Sequence, residues 1–356
     1  MIYENYTIFT PGPVKMSDDI LEIGSKQTPY FRNQAFSEVL LKSEKLLLEF
    51  LNAPTGSRVI FLTASGTAGM EASVMNLLTP SDKTLVVNGG GFGQRFVDIC
   101  NSYEIPIDEI DPKGSNLSDI EQLVTCRHDT LIINAHETSV GVLYDLNTIG
   151  QFVKKHKLFN IVDAISMFTT DEIDMQKHHI DVAIVSSQKG LALPPGLTMV
   201  ALSPKAIDRL EDVKSHYFNF KNYLTDGERG QTPYTPAVSI ILQLLARLEQ
   251  IKADGGITET QKKAKEIAEY FRDGIRDLPL GYYTKHMPNA MTTLVSTDGK
   301  DARKIVKDLE EKYRVILTPN GGELGETIFR IGHMGDMNKK YVDILLNSFS
   351  DYYLNN

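Results

Sequence analysis

The sequence predicts an α/β fold in which a mostly parallel sheet is covered by helices on both faces. One observation is a series of short, mostly apolar runs, such as residues 59–62 and 182–185, that lack the alternation of a half-exposed strand. A second is that amphipathic stretches with apolar residues at helical spacing separate these runs. Strands that are buried on both faces and alternate with helices are typical of parallel sheets.

The elements of this α/β part follow in order along the chain. The segment Thr10-Pro11-Gly12-Pro13 cannot be helical, so the chain begins with an extended arm. The apolar runs then predict strands at residues 59–62, 84–87, 130–133, 159–162, 182–185 and 198–202. Helical spacing predicts helices at residues 36–51, 67–78, 92–102 and 147–155.

The pattern changes after residue 239, where helices and strands no longer alternate regularly. The predicted elements here are helices at residues 240–252, 259–276, 302–312 and 339–352 and strands at 292–296, 315–318 and 327–331. This composition indicates a smaller α+β domain. The predicted organisation is an extended arm at 1–15, a large domain at 16–252 and a small domain at 253–356.

The composition narrows the class of protein. The 356 residues carry a net charge of -9, which argues against a nucleic-acid partner. Cys100 and Cys126 are isolated, so neither a disulfide framework nor a cysteine metal site is expected. The sequence shows no signal peptide and no apolar run of the roughly twenty residues that a membrane helix needs. We therefore expect a cytoplasmic protein without a membrane partner.

Lys189 occupies an unusual place, directly after the predicted strand 182–185 and the polar residues Ser186, Ser187 and Gln188. Partial burial lowers the pKa of a lysine and favours Schiff-base formation with a carbonyl group. The alternative is a lysine whose ammonium group simply reaches water from the end of a strand.

Two loops of the same region contain small residues. Ser65-Gly66-Thr67 lies between a predicted strand and a helix, where backbone N–H groups can bind a phosphate. An ordinary helix N-cap at Ser65 is the alternative. Three glycines at 89–91 precede Phe92, whose ring could stack on a planar cofactor or could pack into the core.

Two charged residues complete the candidate site. Asp163 ends the predicted strand 159–162, and its carboxylate could hold a proton on a pyridine nitrogen or form an N-cap or a salt bridge. Arg330 lies in a C-terminal strand beside glycine, where it could bind a carboxylate bidentately or simply be exposed at a sheet edge. A Schiff-base lysine, a phosphate loop, a stacking ring, a pyridine partner and a carboxylate clamp together suit pyridoxal phosphate acting on an amino acid.

With these residues in place, the chain resembles the class V aminotransferases of fold type I. That group includes alanine–glyoxylate, serine–glyoxylate and 2-aminoethylphosphonate–pyruvate transaminases. The matching motifs occur in the family's order and span nearly the whole chain: Thr10-Pro11-Gly12-Pro13-Val14, Ser65-Gly66-Thr67, residues 88–95, His136-Glu137-Thr138-Ser139-Val140-Gly141, Asp163-Ala164-Ile165-Ser166, Ser186-Ser187-Gln188-Lys189-Gly190, Pro194-Pro195-Gly196 and Arg330-Ile331-Gly332.

The resemblance implies a large domain with a mostly parallel seven-stranded sheet, and a role for each matching residue. Lys189 would hold the cofactor as an aldimine and act as proton shuttle, while Asp163 would pair with the pyridine nitrogen. The other implied cofactor contacts are Ser65, Gly66, Thr67, Phe92, Thr138, Ile165 and Gln188. It further implies that Arg330 binds the substrate carboxylate, and that Thr235 reaches the neighbouring subunit's cofactor in a homodimer that shares its active sites.

The implied reaction is transfer of an amino group from a small amino acid, such as alanine or serine, to a 2-oxo acid such as glyoxylate or pyruvate. A 2-aminoethylphosphonate–pyruvate transaminase and a pyridoxal phosphate lyase or decarboxylase are the alternatives. Arg32 could contact a phosphonate or a distal carboxylate, or could be a solvated loop residue. A cysteine desulfurase is not favoured, because both cysteines lie in the predicted large domain rather than in the C-terminal region.

Overall fold

The computed structural model describes residues 5–112 and 128–355. Its strands are β1 (Thr7–Ile8), β2 (Arg58–Leu62), β3 (Thr84–Val87), β4 (Ile107–Ile110), β5 (Thr130–Asn134), β6 (His136–Glu137), β7 (Val142–Leu143), β8 (Phe159–Asp163), β9 (Val182–Ser186), β10 (Thr198–Leu202), β11 (Leu280–Tyr282), β12 (Met291–Ser296), β13 (Val315–Ile316), β14 (Thr318–Pro319) and β15 (Ile328–Gly332). Its α-helices are α1 (Asp18–Ser25), α2 (Gln34–Phe50), α3 (Gly66–Leu77), α4 (Gly91–Ser102), α5 (Leu146–His156), α6 (Pro204–Asp208), α7 (Phe220–Gly227), α8 (Val238–Ala253), α9 (Ile257–Gly274), α10 (Ala302–Tyr313) and α11 (Lys339–Asn355).

A seven-stranded sheet with the order β2-β10-β9-β8-β5-β3-β4 carries the candidate site at one edge. The strands β9, β8, β5, β3 and β4 are parallel neighbours, whereas β10 is antiparallel to both β9 and β2. The loop 187–197 that joins β9 to β10 contains no crossover helix, and a short loop of this kind returns the chain antiparallel. The carboxyl ends of β2, β5, β8 and β9 therefore meet at the same edge, which confirms the predicted mostly parallel sheet.

Helices cover both faces of this sheet. Successive side chains of a strand point to opposite faces, and in most of these strands both sets of side chains are apolar. On β9, Val182 and Ile184 join the core under α3, α4, α6 and α7, whereas Ala183 and Val185 join the core under α1, α2, α5 and α8. All five residues of β9 are buried. A strand covered on both sides needs no polar residue, which explains the continuous apolar run in the sequence.

A second, antiparallel sheet has the order β11-β12-β15-β14 and packs against α9, α10 and α11. The N-terminal arm joins this part of the fold, since Thr7 pairs with Val315 across the parallel strands β1 and β13. In addition, Gly332 N–H donates to the Phe9 carbonyl at 2.6 Å. The arm is thus held by the C-terminal part of the chain, while the predicted domain division at residue 252 stays a prediction.

The predicted strands and helices are present, with ends that shift by a few residues. The predicted strand 315–318 is divided into β13 and β14. The sequence did not predict β4, whose central residues Asp108 and Glu109 are exposed at the edge of the sheet. It also missed short elements such as α6, which is only five residues long. Cys126 lies outside the described residues, and no described helix is long and apolar enough to cross a membrane.

Asp171 links the loop after β8 to the loop before β12. Its buried carboxylate accepts hydrogen bonds from the Asn289 main-chain N–H, at 3.1 Å and 3.2 Å, and from Thr170 Oγ1 at 2.9 Å. The Asn289 side chain in turn donates to the Thr170 carbonyl at 3.0 Å. Burial raises the pKa of Asp171 to about 6 against the opposing effect of these donors.

We expect Asp171 to make the fold less stable as the pH rises from about 4 to about 6. Its pKa in the folded state lies above the value near 3.9 of an unfolded aspartate, so the folded state binds the proton more tightly. The change in unfolding free energy across this window is up to about 3 kcal/mol, because a tenfold change in proton affinity is about 1.4 kcal/mol.

Urea unfolding at a series of pH values tests this expectation. Between pH 4 and pH 6, the free energy of unfolding of the Asp171→Asn variant should change less with pH than that of the unaltered protein. The exposed Asp277 provides the matched control, since Asp277→Asn should leave the curve unchanged. An unaltered slope in Asp171→Asn would contradict the assignment.

Candidate active site

A cavity of about 300 Å³ opens at the carboxyl edge of the seven-stranded sheet. The sequence-predicted residues that line it are Ser65, Gly66, Thr67, Phe92, Thr138, Asp163, Ile165, Gln188 and Lys189. Residues that sequence reasoning did not place here are Gly12, Pro13, Met70, Arg95, Ser166 and Pro195. The fold therefore brings most of the predicted site together around one space.

Lys189 lies buried in the turn after β9 and faces the N-terminal arm. Its Nζ donates to the Pro11 carbonyl at 2.6 Å. The next arm residue, Gly12, has a φ of +132°, and a Cβ atom there would lie 2.6 Å from Lys189 Cδ. Burial lowers the pKa of Lys189 to about 8, although the nearby Asp163 carboxylate opposes this effect. A neutral amine is thus accessible near physiological pH, which a nucleophilic lysine needs.

Asp163 ends β8 and lies beside β5 in the sheet. Its carboxylate accepts hydrogen bonds from Asn134 Nδ2 at 2.5 Å and from the Ile165 main-chain N–H at 2.8 Å. The strand register explains the first contact, because Asn134 and Asp163 are paired residues of β5 and β8. Burial raises the pKa of Asp163 to about 6. These two hydrogen bonds and the charge of Lys189 act in the opposite direction and lower it.

His136 is buried at the start of β6, two residues after Asn134, and had no assigned role in the sequence. Its Nδ1 contacts the Ser166 carbonyl at 3.0 Å, and its Nε2 is buried with no partner among the described residues. Burial lowers the pKa of His136 to about 4, so the imidazole is neutral at physiological pH. Thr138 Oγ1 donates to Ser166 Oγ at 2.7 Å, which ties this loop to the one after β8.

The start of α3 forms the part of the cavity suited to an anion. Ser65 precedes the first helical residue, Gly66, but its side chain makes no capping hydrogen bond. A Cβ atom on Gly66 would lie 2.5 Å from Ile165 Cδ1, so a larger residue here would displace the end of the Ile165 side chain. Arg95 donates to Thr67 Oγ1 at 2.8 Å and adds a positive charge beside the helix N-terminus.

Phe92 is held at the cavity by a fully buried carboxylate that the sequence did not reveal. Glu137 accepts the main-chain N–H groups of Phe92 at 3.2 Å and Gly93 at 2.9 Å, and the hydroxyl of Ser139 at 2.6 Å. A negative charge at the N-terminus of α4 is favourable, and it fixes the first turn that carries the Phe92 ring. The guanidinium carbon of Arg95 lies 4.9 Å from the centre of that ring.

Arg330, Arg32 and Thr235 do not line the cavity. Arg330 lies on β15 and donates to the carbonyls of Thr138 at 3.2 Å and Pro319 at 3.0 Å. Its Nε is buried without a partner among the described residues. Thr138 lines the cavity, so Arg330 approaches the site through that carbonyl.

Arg32 holds the segment that leads to Thr235. Its guanidinium donates to the Thr232 carbonyl at 2.7 Å, and to Gln231 Oε1 and the Pro233 carbonyl at 3.2 Å and 3.3 Å. It also lies 4.7 Å from the centre of the Phe31 ring. Thr235 itself is exposed. The predicted roles of Arg32 and Thr235 stay predictions.

A family model and a relative in sequence both match most of the chain. The model of the family described as "Aminotransferase class-V" matches residues 26–331. The chain is 31% identical to an uncharacterized aminotransferase of Helicobacter pylori over 337 residues, which are 92% of this chain and 88% of that protein. It is 27% identical over 344 residues to the L-aspartate–glyoxylate aminotransferase of Paracoccus denitrificans, covering 93% of this chain and 86% of the relative.

A solved structure extends this likeness to the fold. The aspartate aminotransferase of subgroup IV from Thermus thermophilus superposes with a TM-score of 0.91 at 26% identity. The match covers 98% of this chain and 99% of that one. The likeness therefore extends over nearly the whole length of both chains.

We expect Glu137→Gln to destabilise the fold. The uncharged amide offers one acceptor oxygen where the carboxylate offers two, so main-chain N–H groups at the start of α4 lose their partner. Leaving a buried donor unsatisfied costs about 1–3 kcal/mol. The loss should be visible as a lower midpoint in urea unfolding at neutral pH.

The control is Glu311 on α10, an exposed residue whose ion pair with Lys307 at 3.7 Å lies on the surface. Glu311→Gln should change stability by less than about 1 kcal/mol, since exposed ion pairs contribute little. If both variants unfold at the same midpoint, Glu137 does not have the proposed structural role.

Proposed function

The chain belongs to the class-V aminotransferases, and from this premise we propose that it is a pyridoxal-phosphate-dependent transaminase. The proposed donor is a small amino acid such as alanine or serine, and the proposed acceptor is a 2-oxo acid such as glyoxylate or pyruvate. The observation that carries the proposal is the pair of buried groups in one cavity, Lys189 with a pKa lowered to about 8 and Asp163 with a carboxylate held by two donors.

The cavity residues fit pyridoxal phosphate at each of its parts. The uncapped start of α3, with Arg95 beside Thr67, suits the phosphate. Phe92 and Ile165 both line the cavity and offer apolar surfaces for the two faces of a ring. Asp163 would hold a proton on the pyridine nitrogen, and Gln188 and Thr138 supply further polar contacts. When bound, pyridoxal phosphate supplies an electron sink for the pair released from the substrate Cα.

The contacts of Lys189 suit it to move protons. The Pro11 carbonyl orients Nζ, and Gly12 leaves room for the side chain beside the arm. Burial favours the neutral amine, so Nζ can take the Cα proton from the substrate and later return one. Asn134 and the Ile165 N–H keep the Asp163 carboxylate oriented while this happens.

Arg330 is the proposed anchor for the substrate carboxylate. Its guanidinium is fixed by the Thr138 and Pro319 carbonyls, and its buried Nε has no partner among the described residues. A planar guanidinium held in this way can bind a carboxylate with good geometry.

We also propose a homodimer in which Thr235 reaches the partner's cofactor. Arg32 supports this, because it fixes the main-chain carbonyls of Thr232 and Pro233 and the side chain of Gln231, in the segment that leads to the exposed Thr235. The same hydrogen bonds commit three of the five N–H donors of Arg32 to residues 231–233, so they do not favour 2-aminoethylphosphonate as donor. A cytoplasmic location stays part of this proposal.

The covalent role of Lys189 has a direct test. The purified protein should absorb near the edge of the visible range, and Lys189→Ala should lose that band and reduce turnover by at least about 10²–10⁴-fold, the contribution of a general base. Lys177, an exposed lysine paired with Glu172, provides the control, and Lys177→Ala should keep both properties. Turnover in Lys189→Ala at the level of the control would refute the mechanism.

A screen of donors against acceptors tests the substrate class. Alanine, serine, aspartate and 2-aminoethylphosphonate are each combined with glyoxylate, pyruvate and 2-oxoglutarate, and both products are identified by mass. Aspartate is included because the Paracoccus denitrificans relative is an L-aspartate–glyoxylate aminotransferase. We expect a 2-oxo acid from the donor and an aminated acceptor in equal amounts. Carbon dioxide or fragments of the donor would indicate the lyase or decarboxylase alternative.

A further inference from the structure

His136 is a buried imidazole that the proposed reaction leaves unused. It is 4% exposed and lies outside the cavity of Lys189. Its Nδ1 lies 3.0 Å from the Ser166 carbonyl, which can only accept a hydrogen bond, so Nδ1 carries a proton. Burial lowers the pKa of His136 to about 4, so at physiological pH Nε2 carries none. The ring is therefore a neutral donor with one fixed partner.

Ser166 connects this donor to the cavity. It lines the cavity three residues after Asp163, and its carbonyl has no donor other than His136 among the described residues. Its Oγ accepts a hydrogen bond from Thr138 Oγ1 at 2.7 Å. The Thr138 carbonyl in turn accepts one from Arg330 Nη1 at 3.2 Å. A series of contacts therefore runs from His136 through Ser166 and Thr138 to Arg330.

Arg330 has few other fixed contacts. Its Nη2 donates to the exposed Pro319 carbonyl at 3.0 Å, and its Nε has no partner among the described residues. The charge of Glu137 acts on Arg330 from nearby, but the Glu137 oxygens accept hydrogen bonds from the start of α4 and from Ser139. The Thr138 carbonyl is thus the contact that ties the guanidinium to the cavity wall.

We propose that His136 is a positioning residue for Arg330: its Nδ1–H fixes the Ser166 carbonyl and, through Ser166 and Thr138, the guanidinium that binds the substrate carboxylate. This inference rests on the proposed function, since it assigns a support to the carboxylate anchor. Without the Nδ1 donor, a buried carbonyl loses its partner, and Ser166 is free to shift away from Thr138. An anchor needs such support, because small displacements of a binding group weaken its contacts.

His178 provides a matched control. It is 1% exposed, and its Nε2, like that of His136, is buried without a partner among the described residues. Burial lowers the pKa of His178 as well. Its Nδ1 accepts the Asp174 main-chain N–H at 3.2 Å, so here Nε2 carries the proton. This contact stays within residues 174–178, none of which lines the cavity of Lys189.

Steady-state kinetics of the holoprotein tests the proposal. In His136→Leu, the KM for the amino donor should rise by about tenfold or more, the effect of weakening a charge-assisted hydrogen bond, while kcat changes by less than about threefold. His136→Asn should restore most of the affinity, because its amide nitrogen can donate from the position of Nδ1. His178→Leu should lower the melting temperature as His136→Leu does but keep the KM of the unaltered protein.

A further variant covers a failure of His136→Leu to fold. His136→Gln places its amide at the position of Nε2, so it keeps a polar side chain without the Nδ1 donor and should show the same rise in KM. An equal rise in His178→Leu would mean that His136 has only a general structural role. A fall in kcat at unchanged KM would also overturn the proposal.

Two readouts are independent of turnover. Nitrogen NMR of the imidazole rings should show His136 protonated on Nδ1 and His178 on Nε2, each signal being identified by its loss in the corresponding Leu variant. In calorimetric titration, propionate should bind the purified protein, lose its binding in Arg330→Gln, and bind about tenfold more weakly in His136→Leu.

These readouts separate the two proposals. If no donor is turned over but propionate binding responds to His136 as expected, the proposed function fails and the positioning role stands. A His136 ring protonated on Nε2, no propionate binding through Arg330, or an affinity that His136→Leu leaves unchanged would overturn the positioning role.

Discussion

The burial of Lys189 against the Pro11 carbonyl is the interaction on which the rest of the site depends. The sheet supplies the lysine from the end of β9 and Asp163 from the neighbouring β8, but neither strand can cover the amine. The cover comes from the N-terminal arm, and the arm is fixed by its pairing with β13 and by the Gly332 N–H at the Phe9 carbonyl. The low pKa of Lys189 is therefore a property of the whole fold, because its desolvation requires elements from both ends of the chain.

Three buried acids, Asp163, Glu137 and Asp171, have the same structural role. Asp163 accepts the main-chain N–H of Ile165, Glu137 accepts those of Phe92 and Gly93, and Asp171 accepts that of Asn289. Each carboxylate thereby satisfies main-chain donors where a loop or helix begins, and its own desolvation is partly offset by those hydrogen bonds. These carboxylates thus also hold in place the main-chain segments that donate to them.

The sequence predicted the residues whose signal is local. Asp163 follows an apolar run directly, Ser65 and Lys189 follow theirs within four residues, and parallel strands bring such positions to one edge. It could not predict the Pro11 carbonyl as a partner of Lys189, because that contact spans 178 residues and uses a main-chain atom. Asn134 and Glu137 read as ordinary polar residues until the strand register places Asn134 beside Asp163 and the fold brings the start of α4 to Glu137. The polar edge strand β4 was missed for a related reason, since its position in the sheet rather than its composition makes it a strand.

Because β1 pairs with β13, the N-terminal arm can take its final place only late in the synthesis of the chain. Thr7 is synthesised about 300 residues before its partner Val315. At roughly 5–20 residues per second, the arm waits some 15–60 seconds before its strand partner exists. Until then the Pro11 carbonyl has no fixed place and Lys189 is not covered as in the finished fold. A nascent chain therefore completes its sheet well before it completes its active site, and premature termination upstream of residue 315 yields chains that lack this cover.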